Sequence, residues 1–357
     1  VAAEAEIFFG RLARRVEAGR RGRRGIPDDE HLEQELLEPL GALARECLHA
    51  ASATTEVDRK MELTARARGL EGLSTVLSAL CAPTIGPEGD PPTQVRWIEP
   101  ERKGVSLRSA PLDVGAALAK YAFAHPRTAV VTSAPLGPPQ GGFEWLRDRL
   151  GLRDRTRDLQ VGSPFAYSSQ VRFGVAEGLP DPVRQPAAFR RACGDDLREQ
   201  LIENGGRALV LCTSWRSVRE FAEVLRDDLA DIDVPLLVHG EAPLRELLRR
   251  KREEPNSVLI GTDTFWEGVD VPGEALTLVV IERLPFAQPD HPLTKARVAA
   301  IEAREGDAFA ELSMPEAQLK FRQGFGRLIR RTDDRGTVIV RDPRIRTRGY
   351  GAEFLRA

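Results

Sequence analysis

From Gly206 onward, short apolar runs alternate with stretches of helical spacing, and no other feature limits the possible folds as strongly. The runs are "RALVLCTS", "VPLLVHG", "SVLIGT", "LTLVVIE" and "GTVIVRD", and the helical stretches include "SVREFAEVLRDDL" and "PLRELLRRKRE". A continuous run of four or five apolar residues is too short for a helix and lacks the alternation of a half-exposed strand, so it reads as a strand covered on both faces. Parallel pairing of such strands requires crossovers, which the intervening helices supply. The predicted fold is therefore α/β, a parallel sheet flanked by helices, with function at the carboxyl ends of the strands.

Upstream, the grammar differs. Residues 1 to about 82 are read as helical, in three stretches: "AEAEIFFGRLARRVEAG", "DDEHLEQELLEPLGALARECLHAA" and "RKMELTARARGLEGLSTVLSALC". Between the first two lies "RRGRRG" (Arg20 to Gly25), a basic loop that is either solvated or touches a nucleic-acid backbone. "PTIGPEGDPPTQ" (Pro83 to Gln94) marks a boundary by its Pro and Gly content. Beyond it come two short strands, "QVRWIE" and "GVSLRS", a helix over about 113–124, and "TAVVTSAPL", an apolar run read as a buried strand leaving into a loop.

With 357 residues and 41% hydrophobic content, the chain can build two cores. Its net charge of −2 makes no general case for a polyanionic partner, so any nucleic-acid contact rests on local sites. Of 52 basic residues only six are lysines, a bias that suits forked contacts with phosphate and equally suits a codon preference. The four cysteines form no C-x-x-C pair and show no metal-ligand spacing. They read as reduced thiols of a cytoplasmic protein. No basic-then-apolar leader and no apolar run near 18 residues is present, so neither secretion nor membrane spanning is expected. The first residue, Val1, points to a fragment or a processed chain.

Four stretches carry candidate chemistry. In "QGFGRLIRR" (Gln323 to Arg331), helical steps of 100° put Phe321, Phe325, Leu328 and Ile329 on one side and Gln323, Gly326, Arg327 and Arg330 on the other. Ser313 with Glu316 offers a capping box, and Pro315 fits the first turn. Gly324 and Gly326 cost roughly 1 kcal/mol each against alanine in a helix interior. That points to close approach of another surface or an anion beside the arginines. "SVLIGTDTFWEGVDVPG" (Ser257 to Gly273) runs a buried strand into a polar loop holding Asp263, Glu267 and Asp270 as acceptors, Gly268 as a turn, and Phe265 and Trp266 as stacking faces or core anchors. "LVLCTSWRSVREF" ends a strand at Thr213 and Ser214 directly before a helix, a phosphate-ready start or a plain Ser cap. "VVTSAPLG" likewise ends at Thr132 and Ser133.

In this order, these stretches resemble the later motifs of superfamily 2 helicases, most closely the DinG branch related to XPD. "TSAPL" is similar to the third motif, "LVLCTS" to the fourth, "GTDTFWEGVDVPG" to the fifth and "QGFGRLIR" to the sixth; "SPFAYSSQ" and "IERLPFAQPDHPL" also read like that branch. The resemblance is strong from about Trp97 onward and loose before it. It implies a RecA-like second motor domain over 186–357, preceded by the returning part of a first motor domain over 91–185 and a helical arch-like region over 1–90. It further implies that Arg327, Arg330 and Gln323 act on the γ-phosphate of ATP held with Mg²⁺ by a first motor domain. Glu267, Gly268, Asp270 and Gly326 would contact nucleotide, and Thr213, Ser214, Thr262, Phe265, Trp266, Thr132 and Ser133 would contact single-stranded DNA. The partners so implied are single-stranded DNA and an amino-terminal motor half, in cis or in trans, and the pathway is DNA repair.

The family pattern also requires a P-loop, G-x-x-x-x-G-K-[ST], and an acidic box for Mg²⁺. No lysine here is followed by Ser or Thr. "DDEH" (Asp28 to His31) fails as the box, because "RRGRRGIP" precedes it where an apolar strand belongs. The iron–sulfur cysteines of relatives lie between those two motifs, so no cluster is expected. Pro135, where a threonine is common, stiffens the third motif. The chain by itself is expected to hydrolyse ATP negligibly. The competing reading is a nucleic-acid-binding or regulatory protein derived from a helicase and no longer a motor.

Overall fold

The computed structural model describes all residues except 18–21, 86–91, 102, 125–127, 134–136, 138–141, 153–155, 272 and 357. Two compact units are formed: residues 1–117 with 288–308, and residues 118–287 with 309–357.

The first unit opens with α1 (Ala2–Glu17) and the short strand β1 (Arg24–Ile26), followed by α2 (Leu37–Ala53) and α3 (Val57–Cys81). The hairpin β2 (Gln94–Pro100) and β3 (Val105–Pro111) then pairs antiparallel with β1 in the order β1-β2-β3. The boundary expected at Pro83–Gln94 therefore lies inside one compact unit, since strands from either side of it share one sheet. The second helical stretch also starts later than its apolar spacing suggests, at Leu37 rather than near Asp28. There the Gln34 side chain accepts the N–H groups of Leu36 and Leu37, and Pro39 occupies the first turn, where its missing donor is harmless. In the basic loop, Arg20 and Arg21 lie outside the described residues. Arg23 pairs with Glu99 at 2.6 Å, and Arg24 donates to the Arg15 carbonyl at 2.7 Å.

The division between the units falls within α4 (Val114–Tyr121). In the second unit the helices α5 (Gly142–Leu150) and α6 (Tyr167–Gln170) lead to β4 (Val171–Val175) and α7 (Pro186–Glu203). The predicted alternation follows: β5 (Ala208–Leu211), α8 (Trp215–Ala230), β6 (Leu236–Val238), α9 (Leu244–Glu253), β7 (Val258–Gly261), α10 (Thr264–Glu267) and β8 (Leu278–Ile281). The helix α11 (Pro292–Glu302) belongs to the first unit. The chain returns to the second with α12 (Met314–Phe325), β9 (Gly336–Val340), α13 (Arg344–Thr347) and α14 (Gly351–Arg356).

The six-stranded sheet, in the order β4-β9-β8-β5-β7-β6, is parallel at every pairing. One apolar layer packs Leu209, Leu211, Leu259, Val279 and Ile281 with Trp266, Phe321 and Leu328; the other packs Val210, Val258, Ile260 and Val280 with α7 and α8 through Leu197, Phe221 and Leu225. Coverage on both faces explains the unbroken apolar runs of the central strands. The run "TAVVTSAPL" behaves otherwise. Residues 128–133 form no strand and are exposed, because no strand among the described residues pairs with them; apolar composition becomes a strand only with a neighbour to hydrogen-bond. No helix among the described residues is long and apolar enough to cross a membrane.

Candidate functional site

Parallel strands place the carboxyl ends of β5, β7 and β8 side by side, and the three loops leaving them hold most of the sequence-predicted residues. After β5 the chain turns through Thr213 and Ser214 into α8. Ser214 is the N-cap, its Oγ accepting the Ser217 N–H at 3.1 Å. Beneath this turn lies Glu282, fully buried at the end of β8. Its carboxylate accepts the Thr213 N–H at 3.0 Å, the Thr213 hydroxyl at 3.3 Å and the Ser217 hydroxyl at 2.7 Å, with the Arg283 Nε at 3.2 Å. A buried carboxylate with this many donors is compensated and fixes the geometry of what it holds. The hydroxyls expected to grip a nucleic-acid backbone are thus engaged internally, by Glu282 and by the helix cap. Sequence reasoning missed Glu282, whose only signal is an acidic residue ending an otherwise apolar run.

After β7 the aromatic pair turns inward. Phe265 and Trp266 are both wholly buried. The Phe265 ring covers Gly261, where a Cβ would sit 2.3 Å from its Cγ, and the Trp266 Nε1 donates to the Cys212 carbonyl at 2.9 Å. With no ring face open to solvent, neither can serve as the base-stacking platform the sequence suggested; they are core anchors. Thr262 is likewise buried, its N–H directed to His239 Nδ1 at 3.4 Å, which corrects its expected contact with DNA. Thr132 and Ser133 are exposed and lie outside the sheet, while Pro135 falls outside the described residues.

The sixth-motif helix differs from its sequence pattern in three ways. First, α12 ends at Phe325, so Arg327 and Arg330 lie in an irregular segment beyond it, although Leu328 and Ile329 still point into the core. Second, a π-helical turn at Phe309–Ser313 precedes α12, and Ser313 makes no side-chain cap hydrogen bond. Glu316, expected to complete a capping box, instead pairs with Arg149 at 3.1 Å. Third, Gly324 is buried against Trp266: a Cβ there would meet two indole carbons at 2.8 Å. The surface this glycine admits is the protein's own core and not an anion.

Arg327 and Arg330 converge on one acceptor. The buried Val269 presents its carbonyl to the Arg327 Nη1 at 2.8 Å and the Arg330 Nη2 at 3.0 Å, while the Arg327 Nε donates to the Gln323 carbonyl at 3.0 Å. Both side chains are half-buried. Burial, reinforced by the neighbouring Arg330 charge, pulls Arg327 down to about 10, so it remains a cation at neutral pH. The Arg330 Nε is buried with no hydrogen-bond acceptor and lies 3.6 Å from Asp270 Oδ1. That orphaned donor is what an anion would satisfy. Glu267, Gly268 and Asp270 are exposed beside the arginines, with Val269 as the buried pivot between them.

Asp334 shapes the segment. Its Oδ2 accepts the N–H groups of Arg330 and Arg331, both at 2.7 Å, and its Oδ1 accepts that of Gly273 at 3.1 Å, tying the sixth-motif loop to the fifth. Gln170 completes the clamp by donating to the carbonyls of Arg331, Thr332 and Asp334. Neither residue was found from the sequence, because their partners are backbone groups, which no pattern of residue types marks. Among the described residues, no group of three His, Cys, Asp or Glu side chains is placed to hold a metal ion.

Residues 197–357 match the helicase C-terminal domain family. The chain is 38% identical over 259 residues to the ATP-dependent DNA helicase YoaA of Escherichia coli K12, covering 72% of this chain and 40% of that protein. It is 39% identical over 282 residues to the ATP-dependent helicase DinG of Mycobacterium tuberculosis H37Rv, covering 77% and 41%. It is 34% identical over 306 residues to the 3'-5' exonuclease DinG of Bacillus subtilis 168, covering 81% and 32%. The chain thus spans well under half the length of these relatives. In fold alone, it resembles the solved structures "XPD_Helicase" and "XPD_APO", each with a TM-score of 0.55 and 13% identity, over 98% and 99% of this chain and 66% and 74% of theirs. Residues 197–357 thus carry a helicase C-terminal domain, the chain is similar in sequence to the YoaA and DinG helicases, and its likeness to the XPD structures is one of fold.

Proposed function

We propose that this chain supplies the arginine side of an ATP-driven DNA helicase. Arg327 and Arg330 stabilise the phosphoryl group of an ATP held, with Mg²⁺, by a separate P-loop motor domain. The observation that carries the reading is the shared Val269 carbonyl together with the Arg330 Nε, which makes no hydrogen bond: two guanidinium groups held in one orientation with donor capacity to spare. Bound ATP would supply the phosphoryl group to be transferred. The contribution of this chain is positive charge, fixed in advance by Val269, Gln323 and Asp334, where negative charge develops. Because the arginines are tied to the loop of Glu267, Gly268 and Asp270, a change at the phosphate is transmitted to the neighbouring strand end at Thr213 and Ser214, beside which single-stranded DNA is proposed to run. No P-loop lysine exists in this sequence, so the chain by itself is proposed to be inactive.

The test is steady-state ATP hydrolysis with single-stranded DNA, measured on the 357-residue chain alone and assembled with a motor half that carries a P-loop. The expected result is negligible turnover alone and DNA-stimulated turnover when assembled. Arg327→Ala then lowers kcat by roughly 10³ to 10⁵, the range measured for arginine fingers, with DNA affinity unchanged. DNA-stimulated hydrolysis by the chain alone, or an assembled Arg327→Ala variant at full rate, overturns the proposal.

A further inference from the structure

With Phe265 and Trp266 in the core, Trp215 is the exposed aromatic residue at these strand ends among the described residues, and it is built as a platform. Trp215 opens α8 directly after Ser214 and is 44% exposed. Of the other three tryptophans, Trp97 and Trp266 are buried and Trp145 is half-buried under Arg149. An exposed indole is ordinarily free to change rotamer; this one is held. His239, at the end of β6, lies against it at 4.2 Å between ring centroids, and the His239 ring in turn rests on Phe265 at 4.5 Å. The His239 Nδ1 accepts the Thr262 N–H, which leaves the proton of the neutral ring on Nε2. Burial lowers the His239 pKa and so favours that neutral ring at physiological pH, with Asp263 opposing. Gly240 has φ +96°, and a Cβ there would lie 3.2 Å from the indole Cζ3, so a glycine is what allows the backbone to pass close under the ring. On the backbone side, Glu282 and the Ser214 cap fix where the residue starts.

We propose that Trp215 is the platform on which a base of single-stranded DNA stacks. This rests on the reading of these strand ends as the DNA-contacting surface. Protein, with His239 and Phe265 behind it, covers one side of the indole, so a flat ring can be received on the side left exposed without ordering anything new, which lowers the entropic cost of binding. One helical turn along, Arg219 is exposed and has no acid within ion-pairing distance among the described residues, whereas Arg216 is paired with Glu220 at 2.6 Å. Residues four apart on a helix are neighbours. An aromatic face beside an uncommitted guanidinium is the pairing that single-strand binding uses, stacking for the base and charge for the backbone. Polar and charged neighbours on α8 argue against an apolar protein partner, which would need an apolar surround.

The experiment is equilibrium binding of a fluorescein-labelled oligothymidine to the whole chain, by anisotropy, at several salt concentrations. The variants are Trp215→Ala, Trp215→Phe and Arg219→Ala, with circular dichroism and thermal midpoints confirming that each is folded. Stacking worth about 1–3 kcal/mol predicts a roughly 5- to 150-fold weaker Kd for Trp215→Ala with an unchanged salt slope, and partial recovery in Trp215→Phe. Arg219→Ala lowers the salt slope by about 0.7 instead. DNA should also quench tryptophan emission in the wild type and much less in Trp215→Phe. Wild-type binding with Trp215→Ala at the same affinity refutes the platform and leaves the DNA-contact reading standing. A wild-type chain that binds no oligothymidine even at low salt refutes both.

Discussion

Gly324 offers a quantitative test of how the sixth motif is built. In a plain surface helix, Gly324→Ala would stabilise by roughly 1 kcal/mol through helix propensity alone. Here the new methyl group meets Trp266 Cε3 and Cζ3 at 2.8 Å and Leu211 Cδ1 at 3.0 Å. Carbon–carbon contacts are favourable at about 3.5–4.0 Å, so the methyl is well inside the repulsive wall. The indole cannot withdraw cheaply, since it is wholly buried and its N–H holds the Cys212 carbonyl. Overpacking of this kind costs about 1–3 kcal/mol, and contacts this short on a held ring belong to the upper end of that range. Subtracting the propensity gain leaves a net destabilisation of about 1–2 kcal/mol. Gly326→Ala is the internal control. A Cβ there meets only the Arg322 and Gln323 carbonyls, at 3.2 and 3.6 Å, and φ is −65°, so stability should change by less than about 0.5 kcal/mol. Urea denaturation followed by tryptophan emission reads both. The double variant Gly324→Ala with Trp266→Phe, which removes the offending ring carbons, should lose less than the sum of the single variants. A Gly324→Ala protein as stable as wild type, or additivity in the double variant, would refute the packing argument and return the glycine to a role in anion approach.

Two further expectations follow from buried polar groups. Lys251 is fully buried, donates to the carbonyls of Pro255 and Ser257, and is lowered by burial to about 7, with Arg207 adding to the effect. The unfolded chain keeps this proton up to about pH 10.4, so between pH 7 and 10 the unfolded state binds more protons and stability rises with pH, by at most about 1.4 kcal/mol per unit, and is flat below 7. Lys251→Met should remove that slope; urea midpoints from pH 6 to 9 that run parallel in the two proteins would contradict it. Asp334→Ala strands the three N–H groups of Gly273, Arg330 and Arg331 and should destabilise the second unit by about 2–4 kcal/mol, while Asp334→Asn, retaining one acceptor oxygen, should fall between it and wild type in the same denaturation assay.

The strand ends divide into a rigid base and an outward face. Glu282, Asp334 and Gln170 hold the fourth- and sixth-motif loops from beneath through backbone groups. Arg327, Arg330, Asp270 and Trp215 are what those loops present. Replacing a member of the outward face should change rate or affinity with little change in stability, and replacing a member of the base should reduce stability first.

The periodicity of the sequence determined the parallel sheet. β5, β6, β7, β8 and β9 all form within the predicted apolar runs, because a strand buried on both faces has no position where a polar residue is cheap. It also placed the candidate residues of the fourth and fifth motifs at the carboxyl ends of those strands and separated Leu328 and Ile329 from Arg327 and Arg330. Only the tertiary structure decided which aromatic faces solvent. Trp215 and Trp266 each follow a strand end and stand among hydroxyl-bearing and charged residues, and nothing local distinguishes them. Trp266 is drawn into the core by Gly324 of α12 and the Cys212 carbonyl, whereas Trp215 is left at the surface on a floor made by His239 and Gly240. The same holds for "TAVVTSAPL", which has strand composition without a strand to pair with. Burial of a given side chain is a property of the surface that arrives to cover it, and that surface comes from elsewhere in the chain.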